Sequence, residues 1–104
     1  MVTTVVRFKL PPGVTGEKWL DNSKGIAPRF RSVPGLISKN FLFSGDGWAG
    51  RVYTWESREA AEACFAGVWR DDLRNLYGVV APEITYFDPP VIVDSVSNRV
   101  TLAE

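Results

Sequence analysis

A handful of polar side chains fall beside large aromatic residues in this chain: Arg29, Tyr53, Arg70, Asp71 and Tyr77. An arginine or a phenol among indole and phenyl rings can hold a developing oxyanion in a dry pocket. Tyr53 and Arg70 are the candidate catalytic donors on that ground. Arg70 follows Trp69 at what reads as the end of a helix, where the dipole favours its charge; a solvated surface arginine is the more ordinary reading of the same position. Asp71 and Asp72 suit the first turn of a short following helix better than the part of a general base. Cys64 sits on the apolar stripe of its helix and reads as inert core. No residue stands out as a base.

What the chain lacks narrows the chemistry further. It has no histidine and one cysteine in 104 residues, so metal sites built from imidazole or paired thiolates are not expected, nor is a nucleophile paired with histidine. Neither a metal nor a cofactor is therefore expected. Twelve basic residues balance twelve acidic ones, which offers no electrostatic footprint for nucleic acid. No apolar run approaches the ~20 residues of a membrane span, and the N-terminus enters a strand with no leader-like segment. A single cysteine, unable to form an internal disulfide, fits a reducing cytoplasm.

The elements that must position these residues follow from periodicity and punctuation. Residues Thr3 to Leu10 alternate Val6, Phe8 and Leu10 against Val5, Arg7 and Lys9, the pattern of a strand. After "PPG", Thr15 offers an N-cap with Glu17 in the first turn. Trp19, Ile26, Ala27 and Phe30 share one face of the helix that follows, and Pro28 predicts a kink because it cannot donate to the Lys24 carbonyl. Strands are predicted over Leu36 to Ser44 and Trp48 to Glu56, joined by the "GDG" turn. Ser57 caps a helix with Ala61, Cys64, Phe65 and Val68 on one stripe. "DDLRNLYG" forms a short helical piece, and Glu83 to Asp88 a fourth strand. The order βαββαβ is that of an α+β, ferredoxin-like antiparallel sheet with helices on one face. One domain over residues 1–94 and a polar C-terminal tail over 95–104 are expected.

RNA-recognition motifs share this topology, so the third strand tests that alternative. Aligned on "WES", the positions whose rings would stack on bases hold Gly50 and Val52. Loss of those platforms removes about 1–3 kcal/mol per base. Tyr53 and Trp55 then face the helices, whereas Val52 and Thr54 join Val5 and Leu42 on an apolar outer face that no helix covers. Such a face predicts a homodimer packed sheet to sheet, with Val91 to Val93 extending onto the partner. Trp48, after the turn glycines, reads either as an exposed ring or as a dimer contact.

The segments "FKLPPGVT", "APRFRSVPGLISKNFLF", "AGRVYTWESREAAEACF" and "PEITYFDPPVIVD" resemble, in order and spacing over residues 5–94, the YdhR-like monooxygenases. These belong to the dimeric α/β-barrel superfamily that includes the cofactor-independent antibiotic-biosynthesis monooxygenases. The resemblance implies a dimeric α/β barrel and oxygenation of a small, electron-rich aromatic such as an anthrone or quinol. Such a substrate, once deprotonated, passes an electron to O₂ itself, so the protein supplies a pocket, a proton acceptor and an oxyanion donor. The rings expected around that pocket, between the helices and the sheet, are Trp19, Phe30, Phe41, Phe43, Trp55, Phe65, Trp69 and Tyr77. The same rings could instead fill the core. The competing function is a non-catalytic or isomerase-like small-molecule binder.

Overall fold

A computed structural model describes residues 1–67, 69–88 and 91–102, apart from the side chain of Arg70. Val68, assigned above to an apolar stripe, and Pro89 and Pro90 lie outside the described residues. Four strands, β1 (Val2–Lys9), β2 (Leu36–Phe43), β3 (Trp48–Trp55) and β4 (Glu83–Phe87), pair antiparallel in the order β2-β3-β1-β4. Along β1 the residues Val2, Thr4, Val6 and Phe8 are buried, while those between them are partly or fully exposed. One face of the sheet therefore carries the core and lies under the helices. The α+β ferredoxin-like fold expected from the element order is the fold observed.

Local chemistry explains where each element starts and stops. Helix α1 (Gly16–Ile26) begins at Thr15, whose side-chain oxygen accepts a hydrogen bond from the Lys18 backbone N–H at 3.1 Å. The expected kink at Pro28 takes the form of a change of helix type. After Ile26 the chain continues as a 3-10 helix, Ala27–Ser32, with the proline at its start, where its missing N–H costs nothing. The β2–β3 turn uses Gly45 and Gly47 at φ +83° and +96°, a region that disfavours side chains. Helix α2 (Arg58–Phe65) is capped by Ser57, which accepts from the Ala60 N–H at 3.2 Å.

Two features depart from the sequence reading. Helix α2 ends at Phe65, with the Gly67 N–H bonded to the Cys64 carbonyl, and α3 starts at Trp69 and runs to Tyr77. Trp69 and Arg70 thus open a helix instead of closing one, so the dipole argument made for Arg70 does not hold. The C-terminal segment, expected to be a polar tail from residue 95, contains a second strand: β5 (Val91–Asp94) pairs with β6 (Arg99–Leu102) as a hairpin. Its turn is held by the Asp94 carboxylate, which accepts from the Val96 and Ser97 N–H groups at 3.0 and 3.1 Å, and by Asn98 at φ +57°. Val91, Val93, Val100 and Leu102 on this hairpin are all exposed.

The other sheet face bears Val5, Val52 and Thr54, half-buried, and the exposed Leu42. A shallow hollow of about 190 Å³ lies there, bordered by Val5, Leu42, Trp48 and Gly50. The Arg7 guanidinium covers the Trp48 ring at 4.1 Å. No helix among the described residues is long and apolar enough to cross a membrane.

Candidate functional site

The covered face of the sheet brings aromatic and cationic side chains into one layer. Cross-strand pairing sets Lys39 opposite Tyr53 and Phe41 opposite Arg51. Tyr53 and Trp55, two apart on β3, stack at 5.4 Å, and Phe65 from α2 meets both edge-on at 5.3 and 5.9 Å. Trp69, the first residue of α3, closes the group 4.8 Å from Phe65 and donates its indole N–H to the Tyr53 hydroxyl at 2.8 Å. The Trp55 N–H goes to the Thr4 hydroxyl at 2.9 Å. These rings interlock, and each indole N–H has a partner, as burial demands.

Two basic side chains lie beside that cluster. Arg51 is only 3 % exposed, and its guanidinium sits 5.2 Å from the Phe41 ring and 5.5 Å from Phe8. Burial draws its pKa down, while Tyr53, Tyr77 and Asp72 oppose that and a hydrogen bond to the Tyr53 hydroxyl supports the charge. The Lys39 amine lies 3.1 Å above the Phe30 ring, 4.4 Å from Phe41 and 4.7 Å from Tyr53. Its Nζ is buried and has no hydrogen-bond partner among the described residues.

An ammonium so placed would leave its donors unmet. Burial, reinforced by the Arg51 charge, lowers the Lys39 pKa to about 6, with Cys64 and Asp72 pulling the other way. The ring faces favour the ammonium by about 0.5–2 kcal/mol. That is less than a displacement of this size, at ~1.4 kcal/mol per pH unit, so desolvation wins. At neutral pH Lys39 is an amine with a free lone pair. The Tyr53 phenol moves the opposite way: burial raises its pKa against the pull of Arg51 and Trp69, and it stays protonated.

Phe30 borders two openings beside this layer. A cleft of about 340 Å³ between the 3-10 helix and the α2–α3 corner is lined by Arg29, Phe30, Val33, Cys64, Trp69 and Asp72, among others. Arg29 and Asp72 form an ion pair across it at 3.7 Å. Phe30 also borders a second cavity of about 280 Å³, lined by Lys39, Phe41, Leu36 and Ala27 among others.

The residues singled out from the sequence divide into three groups. Phe30 and Trp69 line the cleft, and Phe41 and Tyr53 pack against the amine behind it. Trp55 and Phe65 belong to the interlocked rings, and neither lines the cleft. Trp19, Phe43 and Tyr77 are elsewhere: Trp19 packs on Phe43 at 5.4 Å, and Tyr77 stacks on Phe8 at 5.9 Å and accepts from Asn22 at 3.4 Å. The Arg70 side chain lies outside the described residues.

Lys39 and Arg51 were not anticipated, although strand parity locates both. Arg51 is two residues before Tyr53 and Lys39 two before Phe41, so each shares the covered face. Among the described residues no group of three or more His, Cys, Asp or Glu is placed to hold a metal ion.

No protein-family model matches the sequence, and no curated protein matches it either. Solved structures do. A monooxygenase, ActVA-Orf6 of Streptomyces coelicolor in complex with nanaomycin D, superposes with a TM-score of 0.66 at 26 % identity, over 86 % of this chain and 87 % of that one. SnoaB, a cofactor-independent oxygenase from Streptomyces nogalater, matches with a TM-score of 0.64 at 19 % identity, over 85 % and 91 %. A MhuD variant with two manganese protoporphyrin IX molecules per active site gives 0.69 at 20 % identity, over 91 % and 100 %. The chain shares the ferredoxin-like fold of the antibiotic-biosynthesis monooxygenases and their structural relatives.

Proposed function

We propose that the protein is a cofactor-independent monooxygenase acting on a small aromatic of the anthrone or quinol type. The observation that carries this reading is the Lys39 amine, buried and unpartnered beside the Arg51–Tyr53 pair. It supplies the base that the sequence reading lacked. A phenolic or benzylic proton passes to the Lys39 lone pair. The resulting anion is held by the Arg51 guanidinium and by the Tyr53 hydroxyl, whose oxygen accepts from Trp69 and whose proton is left to donate. Phe30, Phe41 and Trp69 keep the site dry. Arg70, proposed from the sequence as a donor, is replaced in that role by Arg51.

The likeness to ActVA-Orf6 and SnoaB supports oxygen chemistry on this fold. The porphyrin-bound neighbour suggests a different chemistry, but a chain without histidine has no imidazole to ligate haem iron. A second reading, a non-catalytic or isomerase-like small-molecule binder, is favoured by the interlocking of Trp55, Tyr53 and Phe65, which fills much of the interior. Oxygen uptake by metal-free protein with a panel of anthrones and quinols separates the two. The first reading expects turnover that is lost in Lys39→Met. No uptake with any member of the panel, or unchanged uptake in a folded Lys39→Met variant, leaves the binder.

The same proposal includes a cytoplasmic homodimer through the outer sheet face. Val5, Leu42 and Val52 need cover, and the exposed valines of the β5–β6 hairpin offer an arm to reach a second copy. Light scattering at micromolar concentration should give twice the chain mass. A monomer mass overturns the dimer.

A further inference from the structure

Lys39 has a second chemical capacity, which needs no oxygen. Lys9, Lys18 and Lys24 are exposed, whereas the Lys39 Nζ is shut between Phe30, Phe41 and Tyr53 without a hydrogen-bond partner among the described residues. The Arg51 guanidinium is next to it on the neighbouring strand, opposite Phe41. Desolvation together with an adjacent cation is the arrangement that turns a lysine into a nucleophile toward carbonyl carbon. The surrounding ring faces make a slot for a planar aryl group, since rings gain about 0.5–1.5 kcal/mol per stacked or edge-on pair beyond their burial.

We propose that Lys39 is a carbonyl-capturing residue that binds small aromatic aldehydes or ketones covalently as an imine. The Nζ lone pair forms a bond to the carbonyl carbon, and the C=O π pair moves to oxygen. That oxygen takes one proton from nitrogen, giving the carbinolamine. The second N–H proton and the hydroxyl then leave as water, and the C=N bond forms. No oxidant or reductant takes part. Asp72 at the cleft wall, paired with Arg29 at 3.7 Å, can relay the proton through water. Phe30 borders both the cleft and the cavity on the amine's side, so rotation of its ring is the step that admits the carbonyl. The charged and titratable groups around the amine are Arg51 and Tyr53 on β3, Cys64 on α2, Asp72 on α3, and Arg29 and Arg31 on the 3-10 helix, Arg31 lining the same cavity as Lys39. Of these, Arg51 disfavours the ammonium and Cys64 and Asp72 favour it.

The test is reductive trapping. The full chain is incubated at pH 7 under nitrogen with benzaldehyde and cyanoborohydride, and the benzylated lysines are located by peptide mass spectrometry. Lys39 should be labelled about tenfold faster than Lys9, Lys18 or Lys24, as a desolvated amine beside a cation requires. Phe30→Ala should speed labelling of Lys39 and leave the other three unchanged. Equal labelling of all four lysines, or no label on Lys39 in either protein, overturns the proposal. Oxygen uptake is measured separately and with different compounds, so failure of the capture reaction is distinguishable from failure of the oxygenase reading.

Discussion

Lys39→Met should stabilise the domain near neutral pH by on the order of 3 kcal/mol, an unusually large gain for one substitution. The unfolded chain holds a proton on this lysine up to about pH 10, whereas the folded one releases it above about pH 6. Between those values unfolding takes up a proton, so wild-type stability should climb as pH rises from 6 toward 10 and be insensitive to this group below 6. Above about pH 10 the buried Tyr53, whose folded pKa is raised, reverses the trend, because the unfolded phenol ionises first. The variant keeps the stem's packing and loses the slope. Denaturant midpoints at pH 6, 7, 8 and 9 read it directly. Parallel pH profiles for wild type and variant would show that Lys39 is protonated in the fold.

Arg51→Gln should lower the oxygenation rate by about 10²–10³-fold, the usual cost of removing one preorganised oxyanion donor. The loss should fall on kcat more than on KM, because the guanidinium meets charge that develops only as the substrate loses its proton. Arg51→Lys should recover only part of it, since an ammonium replaces the charge but not the fork that reaches both Tyr53 and the substrate. Circular dichroism and a denaturation curve establish that each variant is folded. Full turnover in a folded Arg51→Gln protein would remove Arg51 from the reaction.

The four-stranded fold was legible because most of its boundaries carry their own signal. Thr15 and Ser57 announce helix starts, "GDG" a hairpin, and Tyr53 and Trp55 the covered face of β3. The α2–α3 corner was misjudged because the apolar stripe of Ala61, Cys64 and Phe65 runs on toward Trp69 without a proline; only Gly67 marks the break, and an isolated glycine is a weak stop. The β5–β6 hairpin was missed because its turn is made by Asp94 and Asn98 within a polar stretch that also reads as a tail. Of the aromatic residues chosen by size, Phe30 and Trp69 line the cleft and Phe41 and Tyr53 flank the amine, whereas Trp19, Phe43 and Tyr77 pack elsewhere. The two basic residues were passed over because lysine and arginine are so rarely buried, even though parity placed them on the covered face. Composition argued them outward, and position overruled it.

Neutral Lys39 changes how the whole molecule looks from a distance. The sequence counts to zero net charge, yet with that amine unprotonated at pH 7 the folded protein carries one acidic charge in excess. Arg51, though enclosed by rings, still counts in that balance, because burial does not hide a charge from the field outside. Approaching ions therefore sense a weakly anionic particle, one that repels polyanions at long range and whose electrophoretic mobility shifts when the chain unfolds and the lysine recovers its proton.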